Sequence, residues 1–158
     1  MSRADASFTS AAFGLARCLE RKGDEPGAAD AYRRVPSTSS RYAQAQMALA
    51  RLLLRSAGLA GPPLANLTGA SDAVEAIAGQ LEGLEMHHLR ADLLRSAARF
   101  VETGGTGDVR ILGRPLKPKT LRRAAEEELR ACARMAGTAD ERLRWIDQAN
   151  QVRPVTWW

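Results

Sequence analysis

"GLARCLERKG" spans Gly14–Gly23, and "ALARLLLRSA" spans Ala48–Ala57. Laid over each other at a shift of 34 residues, Leu15 falls on Leu49, Ala16 on Ala50, Arg17 on Arg51, Leu19 on Leu53 and Arg21 on Arg55. Within each stretch the apolar residues recur at three and four, the period of a helix with one buried face. Working outward, Phe8, Ala12, Leu15 and Leu19 make an inward stripe on a helix of residues 7–22, which Gly23 ends as a left-handed cap. Ala28, Tyr32 and Val35 carry a second helix from Pro26 to the stop at Pro36. Tyr42, Ala45, Leu49 and Leu53 carry a third to Ser56.

A repeat of 34 residues built from two helices is the period of the tetratricopeptide unit, whose signature is W-x2-L-G-x2-Y, then A-x3-F, then P. Ala12, Leu15, Ala16 and Leu19 take its first four places, and Ala28 and Tyr32 have the A-x3-F spacing. The predicted fold is therefore all-α and tetratricopeptide-like, with about seven helices in right-handed helix-turn-helix stacking. Residues 1–158 read as one domain: a regular repeat part over 1–57, a Gly/Pro linker loop over 58–70 and a divergent helical part over 71–158. In the last part Ser71 or Asp72 caps a helix with Val74, Ile77, Leu81 and Leu84 inward. Leu89, Leu93, Ala97 and Phe100 stripe the next, up to "TGGTGD". "VRILGRPLK", residues 109–117, reads as an ordered loop. Leu121, Ala125, Leu129 and Cys132 stripe a sixth helix, and Leu143, Ile146 and Ala149 a seventh that starts near Thr138.

Composition agrees with this. Of 158 residues 45% are apolar and 26% charged, with three Phe, three Trp and two Tyr, a balance for an aliphatic helical core. Cys18 and Cys132 form no C-x-x-C and no disulfide framework, which suits a reducing cytoplasm, and the polar N-terminal residues lack the apolar run of a signal peptide. No uncharged run is long and unbroken enough to span a membrane. A formal charge of +5 supports no more than a weak preference for acidic partners.

Catalytic and metal chemistry find little support. His87 and His88 are adjacent and so point to different sides of a helix, as at a solvated helix start. Glu126, Glu127 and Glu128 fan around a helix, with Arg122, Arg123 and Arg130 close enough for surface ion pairs. Cys18 and Cys132 lie on or beside apolar stripes, as small buried hydrophobes do. "TGGTGD" lacks the strand before it and the Lys-Ser/Thr after it that a phosphate loop needs. No cofactor, metal site or catalytic residue is expected. Between Val109 and Ala125, Arg110, Arg114, Lys117, Lys119, Arg122 and Arg123 form a secondary basic patch with no acidic residue among them. A basic helical regulatory protein that binds nucleic acid is the alternative this patch raises, although no aromatic is interleaved for base stacking.

Whole segments carry a further signal. "SFTSAAFGLARCLERKGDEPGAADAYRRVPSTSSRYAQAQMALARLLL", "ILGRPLKPKTLRRAAEEELRACARMA" and "RLRWIDQANQVRP" occur in that order. Together they make the chain resemble the C-terminal tetratricopeptide-repeat domain of the actinobacterial serine/threonine protein kinase G family. The resemblance implies a module for protein contact and dimerisation that accompanies an upstream kinase domain, and it implies that Trp158 is the natural end. None of the kinase motifs occurs here, so no catalytic residue carries over.

In tetratricopeptide units the first helix of each pair lines the concave surface. On the first helix Phe13, Arg17 and Arg21 are four apart, and Met47, Arg51 and Arg55 take the equivalent places on the third. These six residues are the candidate binding face, a basic ladder whose guanidinium forks suit the carboxylates of an acidic peptide. The alternative is that the arginines solvate the groove or pair with Glu20 and Asp24. Trp157 and Trp158 are expected to pack, within the chain or on a partner.

Overall fold

Gly23, with φ 77°, ends α1 (Arg3–Lys22), and one residue later the carboxylate of Asp24 accepts the Gly27 N–H at 3.0 Å to start α2 (Glu25–Arg33). In the computed structural model of the chain the described residues are 3–55 and 61–154, with side chains described from residue 10 onward. Five further helices follow: α3 (Tyr42–Leu54), α4 (Leu64–Glu75), α5 (Leu84–Glu102), α6 (Pro118–Met135) and α7 (Ala139–Val152). A reciprocal capping box between Thr138 and Glu141 opens α7. Each helix packs on the next in sequence, and α3 also touches α5. The helices thus pair as α1/α2, α3/α4 and α5/α6, with α7 closing on α6, and α1, α3 and α5 share one face.

Small residues set the spacing. Ala16, Ala28, Ala45 and Ala50 have no exposed surface, so successive helices approach closely in one continuous core. Tyr32 is buried against this alanine surface.

Several expectations need correction. The Gly/Pro linker is partly helix: Pro62 and Pro63 do not break structure but launch α4, since the Pro63 carbonyl accepts from Asn66 and Leu67 at 2.9 and 3.1 Å. Gly69 sits inside that helix and lets it approach α3, because a Cβ there would lie 3.1 Å from Leu53 Cδ1. The fourth helix therefore ends at Glu75 instead of beginning near Ser71, and Leu84 becomes the exposed first residue of α5 (39%). Leu15 is also exposed (49%), because α1 is the first helix described and no described helix covers its outer side; Ala12 and Ala16 hold the packing face. Leu143 on α7 is exposed too (58%) for the matching reason at the other end, while Ala149 and Val152 are buried. Residues 109–117 are a small hairpin, with Arg110–Ile111 (β1) paired antiparallel to Arg114–Pro115 (β2). Leu112 (φ 48°) and Gly113 (φ 70°) make its two-residue turn, the geometry that matches strand twist. Buried Ile111 pins the hairpin to the core. The side chain of Phe8, and Trp157 and Trp158, lie outside the described residues.

Candidate functional site

Helix periodicity places Phe13, Arg17 and Glu20 on the same side of α1, while Met47 and Arg51 face them from α3. These residues, with Tyr32, Arg41 and Arg55, line a concavity of about 480 Å³ that Glu85 closes at the start of α5. Five of the six residues of the expected binding face lie here. Arg21 lines an adjoining concavity that shares Arg17, Glu20, Tyr32 and Arg55 with the first, and its Nη2 lies 3.9 Å from Cys18 Sγ.

The floor is aromatic and apolar. Phe13 meets Tyr32 edge-on with ring centroids 5.6 Å apart, the Arg41 guanidinium lies 5.7 Å from the Phe13 ring, and Met47 is buried beneath. Tyr32 donates its hydroxyl proton to Glu20 Oε1 at 2.6 Å, and Arg55 Nη2 donates to Glu20 Oε2 at 2.8 Å. Burial first, and then the Glu20 carboxylate, push the Tyr32 hydroxyl well above its ordinary range. Arg51 Nη2 lies 3.5 Å from Glu85 Oε2. Glu20 therefore pairs with Arg55, as one alternative anticipated, whereas Asp24 caps α2. Arg17 and Arg21 have no ion pair among the described residues.

The same face continues along α5. Arg51 and Arg55 also border a second groove of about 570 Å³ between α3, α5 and α7, which receives Arg95, Arg99 and Arg122. Sequence reasoning passed over Arg95 and Arg99, since they stand 44 residues after Arg51 and Arg55, not 34.

The secondary basic patch is divided. Arg122 turns into this groove, where Nε and Nη2 donate to Glu102 at 2.6 and 2.9 Å. That guanidinium holds the Glu102 carboxyl below its usual range. Arg114 instead lies 3.8 Å from Glu127, in a cavity on another side formed with α4. Arg110 donates to the Gly113 carbonyl at 2.9 Å, bracing the hairpin, while Lys117, Lys119 and Arg123 are exposed. Carboxylates brought in by α5 and α6 thus neutralise part of a run that has none in its own sequence.

Of the glutamate triplet, Glu126 pairs with Arg130 at 2.8 Å as expected. Glu128 instead meets His87 Nδ1 at 2.6 Å, so His87 is a half-buried link between α5 and α6, not a solvated start. His88 stacks edge-on against Trp145. Among the described residues no three His, Cys, Asp or Glu side chains are gathered for a metal, and no helix is long and apolar enough to cross a membrane.

Paired helices stacked in order, with the first of each pair lining a common groove, define a tetratricopeptide-type repeat domain. The chain matches the family described as protein kinase G tetratricopeptide repeat over residues 1–156, and it belongs to that family. It is 30% identical over 152 residues to the serine/threonine-protein kinase PknG of Mycolicibacterium smegmatis, an alignment covering 96% of this chain and 20% of that protein. With the protein of the same name from Mycobacterium leprae it shares 32% over 147 residues, covering 93% and 19%. The chain thus spans about a fifth of the length of the curated relatives it matches.

Proposed function

We propose that this chain is a protein-interaction module that works by binding, without chemistry of its own, and that its concave face takes an acidic peptide or protein surface. The observation that carries this reading is the charge of the first concavity. Among the described residues, Arg17, Arg41, Arg51 and Arg55 line it against only Glu20 and Glu85, over a floor of Phe13, Tyr32 and Met47. Guanidinium forks beside aromatic rings supply both bidentate pairing and stacking, the combination that favours side-chain recognition over simple charge attraction. Self-association and service to a kinase domain on the same polypeptide belong to the proposal through the family relationship.

Isothermal titration with a poly-glutamate peptide, and with poly-lysine as control, tests the face. Saturable binding of the acidic peptide that Arg17→Glu with Arg51→Glu abolishes is the expected result. Unchanged capture by that double variant removes these residues from the role, and tighter binding of random duplex DNA than of the acidic peptide overturns the protein-interaction reading. Light scattering on the eluting peak of a sizing column reads self-association, and a monomer at all accessible concentrations excludes it.

A further inference from the structure

The ladder has two rungs that the 34-residue shift reveals, Arg17/Arg21 on α1 and Arg51/Arg55 at the end of α3. Helix α5 is the next helix on the same face, and it carries Arg95 and Arg99, again four residues apart. The shift from Arg51 to Arg95 is 44 residues, so the sequence repeat hides a rung that the stacking restores. Position 85, where a strict repeat would put the next arginine, is Glu85, and that carboxylate faces Arg51.

Charge is unevenly available along the three rungs. The middle rung is occupied from within, Arg55 by Glu20 at 2.8 Å and Arg51 more loosely by Glu85 at 3.5 Å. Among the described residues, Arg95 on α5 has only a long contact of 3.8 Å to Asp92, half exposed to solvent, and Arg99 has no ion pair. Both look onto a groove with Leu54, Pro62 and Leu89 as apolar wall. Among the described residues, five arginines line that groove against two carboxylates, Asp92 and Glu102, and Glu102 is already taken by Arg122.

Spacing narrows the ligand. Four residues of helix advance about 6 Å, and two residues of an extended chain advance about 6.6 Å with both side chains on one side. Resting on the interaction reading above, we infer that Arg95 and Arg99 form the third rung of the peptide groove. They bind an extended segment whose carboxylates stand at alternate positions, Asp/Glu-x-Asp/Glu, along α5. A run of adjacent acidic residues puts every second carboxylate on the far side of the strand and offers this rung no better match.

Fluorescence anisotropy with three labelled peptides of equal net charge tests this. One has glutamates at alternate positions, one has them three apart, and one has phosphoserines at the alternate positions with charge balanced elsewhere. The alternating glutamate peptide is expected to bind tightest, and Arg95→Glu with Arg99→Glu to weaken it about tenfold or more while a cooperative melting transition is retained. Arg95→Lys with Arg99→Lys, which keeps charge and loses the fork, is expected to narrow the preference for alternate spacing. Binding that survives the α5 reversal yet is lost in the Arg17→Glu, Arg51→Glu variant overturns the third rung and leaves the concave-face reading standing. No binding of any acidic peptide by the unaltered chain overturns both. A preference for the phosphoserine peptide overturns the assignment to carboxylates.

Discussion

Arg55 and Glu20 meet at 2.8 Å across the gap between α3 and α1, and the other oxygen of Glu20 receives the hydroxyl of buried Tyr32. One carboxylate thus ties two helices together and fills an arginine fork that otherwise faces the groove. On the proposed reading, structural support and competition with an acidic ligand reside in the same side chain.

Glu20→Gln separates those roles. The amide oxygen still accepts from Tyr32, while the charge that occupies Arg55 is gone. Stability is expected to fall by about 1 kcal/mol or less, because Arg55 is half exposed and such a pair is screened. Affinity for poly-glutamate is expected to rise a few-fold; urea denaturation and titration read the two effects, and weaker binding contradicts the competition.

Ser71 joins the hairpin to α4. Its hydroxyl is buried, accepts the Leu112 N–H at 2.8 Å and donates to Glu75 at 3.0 Å. Ser71→Ala leaves that N–H without a partner, at a cost of about 1–3 kcal/mol. Faster amide exchange at Leu112, ahead of global unfolding, is the accompanying signature; protection equal to the unaltered chain denies the anchor.

Gly69 is a packing glycine. Gly69→Ala gains about 1 kcal/mol of helix propensity but requires the Leu53 methyl to give way by a few tenths of an ångström, so its net effect is expected near zero. Gly69→Val forces α3 and α4 apart and is expected to lower stability by about 1–3 kcal/mol. A thermal melt of both variants ranks them, and equal stability contradicts the close approach.

The two thiols are expected to react differently. Cys18 is exposed, whereas burial, and then the charge of Glu128, push the Cys132 thiol up to about 11. At neutral pH one equivalent of a thiol reagent is expected to be taken up readily and the second only after denaturation. A buried thiol that titrates above its unfolded value of about 9 adds stability fully present below pH 9 and lost as pH rises toward 11. Tyr32, also raised, deepens this alkaline loss. At the acid end Glu102, held low by Arg122, adds stability that disappears only as pH falls below the usual carboxylate range. Melting temperatures across pH 7–11 test the alkaline limb, and a flat profile contradicts it.

The residues that were readable in advance share a property: their placement depends on neighbours three or four positions away. Ala12 and Ala16 packing inward, the stop at Gly23, and Phe13 and Arg17 on one helix face all follow from local geometry. Residues that were misread depend on distant chain. Leu15 and Leu143 have the right spacing for burial, yet each lies on an end helix with one side uncovered by any described element. Pro62, Pro63 and Gly69 have the composition of a loop, and packing against Leu53 makes helix of the segment instead.

By itself the sequence determined that the chain is helical, that its first two units are related by a 34-residue shift and that the first helix of each carries a pair of arginines toward its end, since backbone periodicity and capping are local. Which of those arginines keep their charge available was decided only by the tertiary structure. Glu20 and Glu85 reach Arg55 and Arg51 across 35 and 34 residues, and Glu102 reaches Arg122 from the neighbouring helix. Coulombic pairing acts through space and not along the chain. The same stacking carries α5 and its arginines onto the groove despite a broken repeat.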